Sequence, residues 1–102
     1  MHRDLTLDNM VLDSKLTVKI IDFGSSCCIS EESGLLTERL GSSSYLAPEI
    51  LTGKGYDGEQ TDVFSLGVAL FLMVVGIHPF HIALAGDERF KALNSSNKQA
   101  FW

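Results

Sequence analysis

HRDLTLDNMVLDSKLTVKIIDFG, residues 2–24, decides the reading of this chain, because it sets two polar loops at the two ends of one short hairpin. Met10-Val11-Leu12 predicts a strand, Ser14-Lys15 its turn, and Thr17 to Ile21 the returning strand. Leu16, Val18 and Ile20 alternate with Thr17 and Lys19, which predicts one apolar and one mixed strand face. Neighbouring antiparallel strands lie about 4.8 Å apart, so the residue before the first strand and the one after the second converge. Here those residues are Asn9 and Asp22, two oxygen-bearing side chains placed to share an ion.

Outward from the hairpin, Ser25 to Ser44 is rich in Ser and Gly with scattered charges, which predicts an exposed, mobile loop. Pro48 suits the first turn of a helix and Gly53 its stop, so a short helix is expected over Glu49-Ile50-Leu51, followed by a glycine-rich link to Gly58. Asp62 to Val75 is nearly continuous hydrophobe, broken by Ser65 and Gly67, and predicts a helix buried on all sides and ended by His78-Pro79-Phe80. A bilayer needs about 20 apolar residues, more than this run supplies, so no membrane span is expected. Asp87 to Leu93 has helix-forming composition with Phe90 and Leu93 on one face; Asn94-Ser95-Ser96-Asn97 predicts a turn. The large apolar Phe101 and Trp102 suggest that the fold continues. The fold class is mainly α with a small β-hairpin, an α+β arrangement.

Composition bounds the function. With 45% hydrophobic and 21% charged residues the chain is ordinary globular material, and 102 residues hold one domain or part of one. A core that small would feel the loss of any neighbouring segment. The net charge of −5 comes with no basic stripe, which excludes nucleic acid as a partner. Met1-His2-Arg3-Asp4 opens no apolar run, so no secretory signal is read and an intracellular place, cytoplasmic or nuclear, is the expectation. Adjacent Cys27 and Cys28 cannot pair without strain and cannot hold zinc without further ligands; they are expected to be small apolar strand residues.

His2-Arg3-Asp4-Leu5, Asn9, Asp22-Phe23-Gly24, Gly41-Ser42 with Tyr45, Ala47-Pro48-Glu49 and Asp62-Val63-Phe64-Ser65-Leu66-Gly67 follow one another in a single order. On these motifs the chain resembles the C-terminal lobe of a eukaryotic serine/threonine protein kinase. The resemblance divides the chain into a catalytic loop (1–9), the hairpin (10–21), an activation segment (22–49), the buried helix (61–76) and a following helix with a cut end (81–102). It implies phosphoryl transfer from ATP to serine or threonine hydroxyls of a protein substrate. Asp4 would accept or orient the substrate hydroxyl proton. Asn9 and Asp22 would hold Mg²⁺ and, through it, ATP. Arg3 would pair with an acidic or phosphorylated group of the activation segment, for which Thr37 and Glu38 are at hand. Ser42 stands where a threonine usually contacts the catalytic aspartate. His2 and Phe23 resemble hydrophobic-spine positions, and Gly24 completes the metal-binding motif. Asp62 resembles the aspartate that holds the catalytic-loop backbone, and Glu49 would await an arginine beyond Trp102. The residues alone also admit plain core roles for His2 and Phe23, a solvated loop at Thr37 and Glu38, and for Asp62 an acid favoured at a helix start.

Nothing here matches the family's glycine-rich loop, phosphate-holding lysine or partner glutamate. The expectation is a piece of a larger domain, requiring a missing N-terminal lobe and catalytically silent alone. Thr6 and Asp8 also depart from the family, which places a lysine or arginine there to neutralise the transferring phosphoryl group. That departure keeps open a second reading, a pseudokinase or docking module without phosphotransfer. Gly53-Lys54-Gly55-Tyr56-Asp57-Gly58 satisfies G-x-G-x-x-G but follows a helix instead of a strand, so it is read as a link. His78 and His81 lack further ligands nearby for a metal. Asp57, Glu59, Asp87 and Glu88 hint at basic target sites.

Overall fold

The computed structural model describes residues 1–29, 34–96, 99 and 101. A 3-10 turn at Leu7–Asn9 leads into strands β1 (Met10–Leu12) and β2 (Val18–Ile20). A second 3-10 turn at Phe23–Ser25 follows, then helices α1 (Pro48–Thr52), α2 (Gly58–Val75) and α3 (Glu88–Asn94). Asn97 of the predicted turn and Trp102 of the predicted end lie outside the described residues.

The hairpin is antiparallel in the register Met10↔Ile20, Val11↔Lys19 and Leu12↔Val18. Its turn is built by Asp13, whose Oδ1 accepts the N–H groups of Lys15 and Thr17 at 2.8 and 2.9 Å. Leu16 closes the turn in the left-handed region at φ 61°, so it leaves the strand in which alternation had placed it. Val18 and Ile20 are exposed, as Lys19 is. The predicted apolar strand face therefore exists in composition but is not buried.

Pro48 opens α1 and Gly53 ends it at φ 70°, the left-handed conformation that costs glycine nothing. α2 begins three residues earlier than the predicted start at 61, because the Asp57 carboxylate accepts the Glu59 N–H at 2.9 Å and caps the helix there. It stops at Val75, before His78-Pro79-Phe80, because Gly76 takes φ 82° and donates back to the Leu72 carbonyl at 2.9 Å. Cys27 and Cys28 are free thiols outside any strand, one half-buried and one exposed; the Cys27 backbone pairs with Met1 through two hydrogen bonds.

α3 is organised by a single carboxylate. Asp87 accepts from Arg89 and Phe90 through Oδ1 and from His81 and Ile82 through Oδ2, at 2.9–3.1 Å. Burial pushes this carboxyl up, yet the four backbone donors outweigh it and hold it below the ordinary aspartate value. A lowered folded-state pKa contributes stability above the unfolded value of about 3.9, lost as pH falls through the folded one. Asp87→Asn is expected to cost about 1–2 kcal/mol at neutral pH and to flatten the acid limb of the stability profile. Urea unfolding followed from pH 7 to pH 2 reads both effects.

Two buried clusters meet at Leu51 and Phe64: Tyr45, Val68, Ala69, Phe80 and Ala83 in one, Leu46, Ala47, Ile50 and Tyr56 in the other. Phe90 and Leu93 of α3 pack on the first. α2 supplies only one face to this core. Thr61, Ser65, Val68 and Ala69 are buried, whereas Val63, Leu66, Leu70, Met73 and Val74 are exposed, Val74 at 76%. The expectation of burial on all sides is thus corrected. The Cα envelope measures 40 × 38 × 18 Å, and a helix is itself about 10–12 Å across, so little thickness is left to cover its outer face. α2 is also long and apolar enough by composition to cross a membrane, so length does not argue against a span. Two of its polar side chains bond outside the helix: the Ser65 hydroxyl donates to the Tyr45 carbonyl at 2.9 Å, and Asp62 accepts from the His2 and Arg3 amides.

Candidate active site

The loop from His2 to Asn9 is held from beneath by α2. Asp62 Oδ2 accepts the His2 N–H at 2.6 Å and Oδ1 accepts the Arg3 N–H at 3.0 Å. With α2 starting at Gly58, Asp62 sits one full turn inside the helix, where the end dipole has faded. Its carboxylate holds the loop; the helix-start explanation does not apply. Arg3 is thereby fixed at φ 69°, a region an arginine leaves unless its surroundings over-determine it. Buried His2 adds a second tie: Nε2 donates to the Ile21 carbonyl at 2.9 Å, which leaves Nδ1 to accept the Asp4 N–H at 3.3 Å. The His2 and Phe23 rings meet edge-on at 4.9 Å, although Phe23 is largely exposed.

Asp4 is gripped on both carboxylate oxygens. Oδ1 accepts the Ser42 N–H at 3.1 Å and lies 3.4 Å from its hydroxyl, while Oδ2 lies 3.3 Å from the Asn9 amide nitrogen, which also donates to the Asp4 carbonyl at 2.9 Å. Asn9 and Asp22 reach the same end of the hairpin: the Asn9 carbonyl accepts the Ile21 N–H at 3.0 Å, and Asp22 follows directly. Asp22 stands at φ 60° and accepts the Gly24 N–H through Oδ1 at 3.2 Å. The side-chain oxygen of Asn9 and Oδ2 of Asp22 carry no hydrogen bond among the described residues, a pair of hard oxygen donors of the kind Mg²⁺ accepts. Thr6 is buried and Asp8 exposed, and neither a hydroxyl nor a carboxylate can supply a cation beside Asp4.

Arg3 reaches the other way. Its Nη1 donates to Glu38 at 2.7 Å and its Nε to the Ser25 carbonyl. The hydrogen bond it donates to Glu38 holds the guanidinium above its ordinary pKa against the opposing effect of burial. Thr37 is exposed. Glu49 lies in the first turn of α1 with no ion pair among the described residues. Asp57 and Asp87 serve as helix caps.

Two residues were not singled out from sequence for these roles. Tyr56, inside the glycine-rich link at 53–58, donates from its hydroxyl to the Glu38 carbonyl at 2.6 Å, and its backbone pairs with Leu36. Gly41 stands at φ 100°, and a Cβ there would lie 2.6 Å from the Arg3 carbonyl oxygen and 3.1 Å from Leu46 Cδ2. Its position directly before Ser42 was the available signal. Gly41→Ala is expected to cost about 2 kcal/mol or more and to pull Ser42 off Asp4, read as a lower urea midpoint.

Residues 1–100 match the family described as the protein kinase domain. The chain belongs to the protein kinase domain family. Among its relatives, CBL-interacting serine/threonine-protein kinase 13 of Arabidopsis thaliana is 48% identical over 82 residues, covering 78% of this chain and 16% of that protein. CBL-interacting serine/threonine-protein kinase 17 of Arabidopsis thaliana is 47% identical over 81 residues, 78% of this chain and 19% of that protein. CBL-interacting protein kinase 11 of Oryza sativa subsp. japonica is 46% identical over 82 residues, 78% of this chain and 16% of that protein. This kinase-family chain therefore spans less than a fifth of the length of these relatives.

Proposed function

We propose that this chain supplies the catalytic loop and activation segment of an intracellular protein kinase that transfers phosphate from ATP to serine or threonine hydroxyls of proteins. The observation that carries the reading is the Asp4 carboxylate, held by Asn9 on one oxygen and Ser42 on the other. A carboxylate so fixed can take the proton of a substrate hydroxyl or aim that hydroxyl at the phosphorus. Asn9 and Asp22 would hold Mg²⁺, which when bound neutralises charge on the ATP phosphates. Arg3 and Asp62 act on the loop's position and not on the reacting atoms. No residue of the 102 answers to a phosphate-covering glycine loop or its lysine, so the chain works inside a larger protein and is silent alone.

A pseudokinase is the second reading, favoured by the absence of a cation at Thr6 and Asp8. The two separate in one experiment on the complete protein that contains this chain. Transfer of labelled phosphate from ATP to serine or threonine peptides, dependent on Mg²⁺ and lost in Asp4→Asn, supports the enzyme. Binding of ATP with no transfer supports the alternative.

A further inference from the structure

A groove of about 440 Å³ opens where α2 ends, and its polar lining has one electrical sign. Leu72 and Phe80 line it with apolar surface, while Ser44, His78, His81 and Arg89 add a hydroxyl, two imidazoles and a guanidinium. Among the described residues no carboxylate lines it, in a chain whose net charge is −5. Local bonds build this corner. Gly76 turns the chain out of α2 at φ 82°, and the Asp87 carboxylate accepts the His81 and Arg89 N–H groups at 2.9 and 3.0 Å. Arg89 Nε donates to the Pro79 carbonyl at 2.9 Å and the guanidinium lies 5.4 Å from the centre of the Phe101 ring. The cation is thereby held in place, and its two Nη nitrogens carry no hydrogen bond among the described residues. The His78 ring stands edge-on to Tyr45 at 5.1 Å, and its Nδ1 is the single buried side-chain nitrogen or oxygen among the described residues without a partner. Folded proteins pair nearly all such atoms, so the unmet demand falls in the lining of this groove.

The groove starts near the proposed reacting group. Ser44 is two residues from Ser42, whose N–H donates to Asp4, and an extended chain covers about 3.3–3.6 Å per residue, so the separation is at most about 7 Å. We propose, resting on the phosphotransfer proposed above, that this groove takes an aspartate or glutamate side chain of the protein substrate, a few residues from the serine or threonine that is phosphorylated. Arg89 is its cation, with the His81 imidazole and the Ser44 hydroxyl as further polar partners, and the planar guanidinium suits a carboxylate. The preference is opposite in sign to the basic targets that Asp57, Glu59, Asp87 and Glu88 suggest: Asp57 and Asp87 cap helices, and none of the four but Arg89's neighbour Glu88 lies beside a lining residue without a capping role.

Fluorescence anisotropy on the complete protein that contains this chain tests this, with labelled serine peptides carrying Glu, Gln or Lys two to five residues to either side of the serine. At one of these positions the Glu peptide is expected to bind about three- to ten-fold more tightly than the Gln peptide, between an exposed ion pair and a hydrogen bond to a charged group. Arg89→Gln is expected to abolish that ratio. His81→Glu, at an exposed side chain that can change without disturbing the fold, is expected to turn the preference toward Lys. Equal binding of the Glu and Gln peptides, a preference for Lys in the parent, no measurable binding of any peptide, or a Glu preference that survives both substitutions each overturns the proposal. Binding is read without ATP. A Glu preference in a protein that transfers no phosphate therefore ends the kinase reading and keeps the groove, whereas transfer with no such preference ends the groove and keeps the kinase.

Discussion

On the proposed function, Asp4→Asn is expected to lower phosphotransfer by the complete protein by about 10²- to 10⁴-fold, the usual contribution of a positioned proton acceptor. The carboxamide has the carboxylate's shape, so the loss comes from basicity and charge. Polar bookkeeping adds a second effect. Ser42 presents an N–H donor, with its hydroxyl nearby, to one oxygen of Asp4, and Asn9 presents an N–H to the other. An asparagine that turns its oxygen to Ser42 aims its NH₂ at the Asn9 NH₂, two donors face to face. The substitution should therefore remove one hydrogen bond, about 1 kcal/mol of stability, as well as the rate. Steady-state kinetics should show kcat falling with little change in KM for ATP. A rate kept within about ten-fold of the parent would mean that some other group takes the proton.

Asp62→Ala is expected to have the largest effect on folding. Two backbone amides, of His2 and Arg3, donate to this one carboxylate at 2.6 and 3.0 Å. Hydrogen bonds to a charged acceptor contribute about 1.5–3 kcal/mol each, and they are not additive when they share a partner. Arg3 at φ 69° also loses what keeps it there. A loss of about 2–4 kcal/mol follows, a large part of the roughly 5–15 kcal/mol that a typical domain has. Asp62→Asn, with one acceptor oxygen left, should fall between parent and alanine. Urea unfolding compares all three, and a loss below about 1 kcal/mol for alanine would return Asp62 to the role of an ordinary acidic helix residue.

What the sequence discloses follows the range of the interactions involved. Pro48 and Gly53 bracket α1, Asp87 announces α3, and Met10-Val11-Leu12 is a strand; each signal acts within a few residues. The family motifs also point to Asp4, Asn9, Ser42, Asp22 and Asp62 without any geometry. α2 starts earlier than its composition predicts because the glycine after Asp57 looks like link, whereas the aspartate is the cap. The exposed faces of the hairpin and of α2 escape the sequence for another reason: apolar composition states a preference for burial, while coverage depends on what lies opposite. The left-handed backbone of Arg3 and the Tyr56 hydroxyl on Glu38 have no local signature at all, since the chain brings those partners together across 59 and 18 residues.

The uncovered side of α2 has a consequence for handling this polypeptide. Val63, Leu66, Leu70, Met73 and Val74 form an oily strip on the solvent side of one rod, with exposed Val11, Leu12 and Val18 near its edge. Free energy falls whenever two such strips touch and release water, and five excess negative charges are the main deterrent. Colloidal behaviour should thus worsen steeply as salt rises or as pH approaches the isoelectric region, and dilute, low-salt, mildly alkaline buffers are where the isolated molecule stays dispersed.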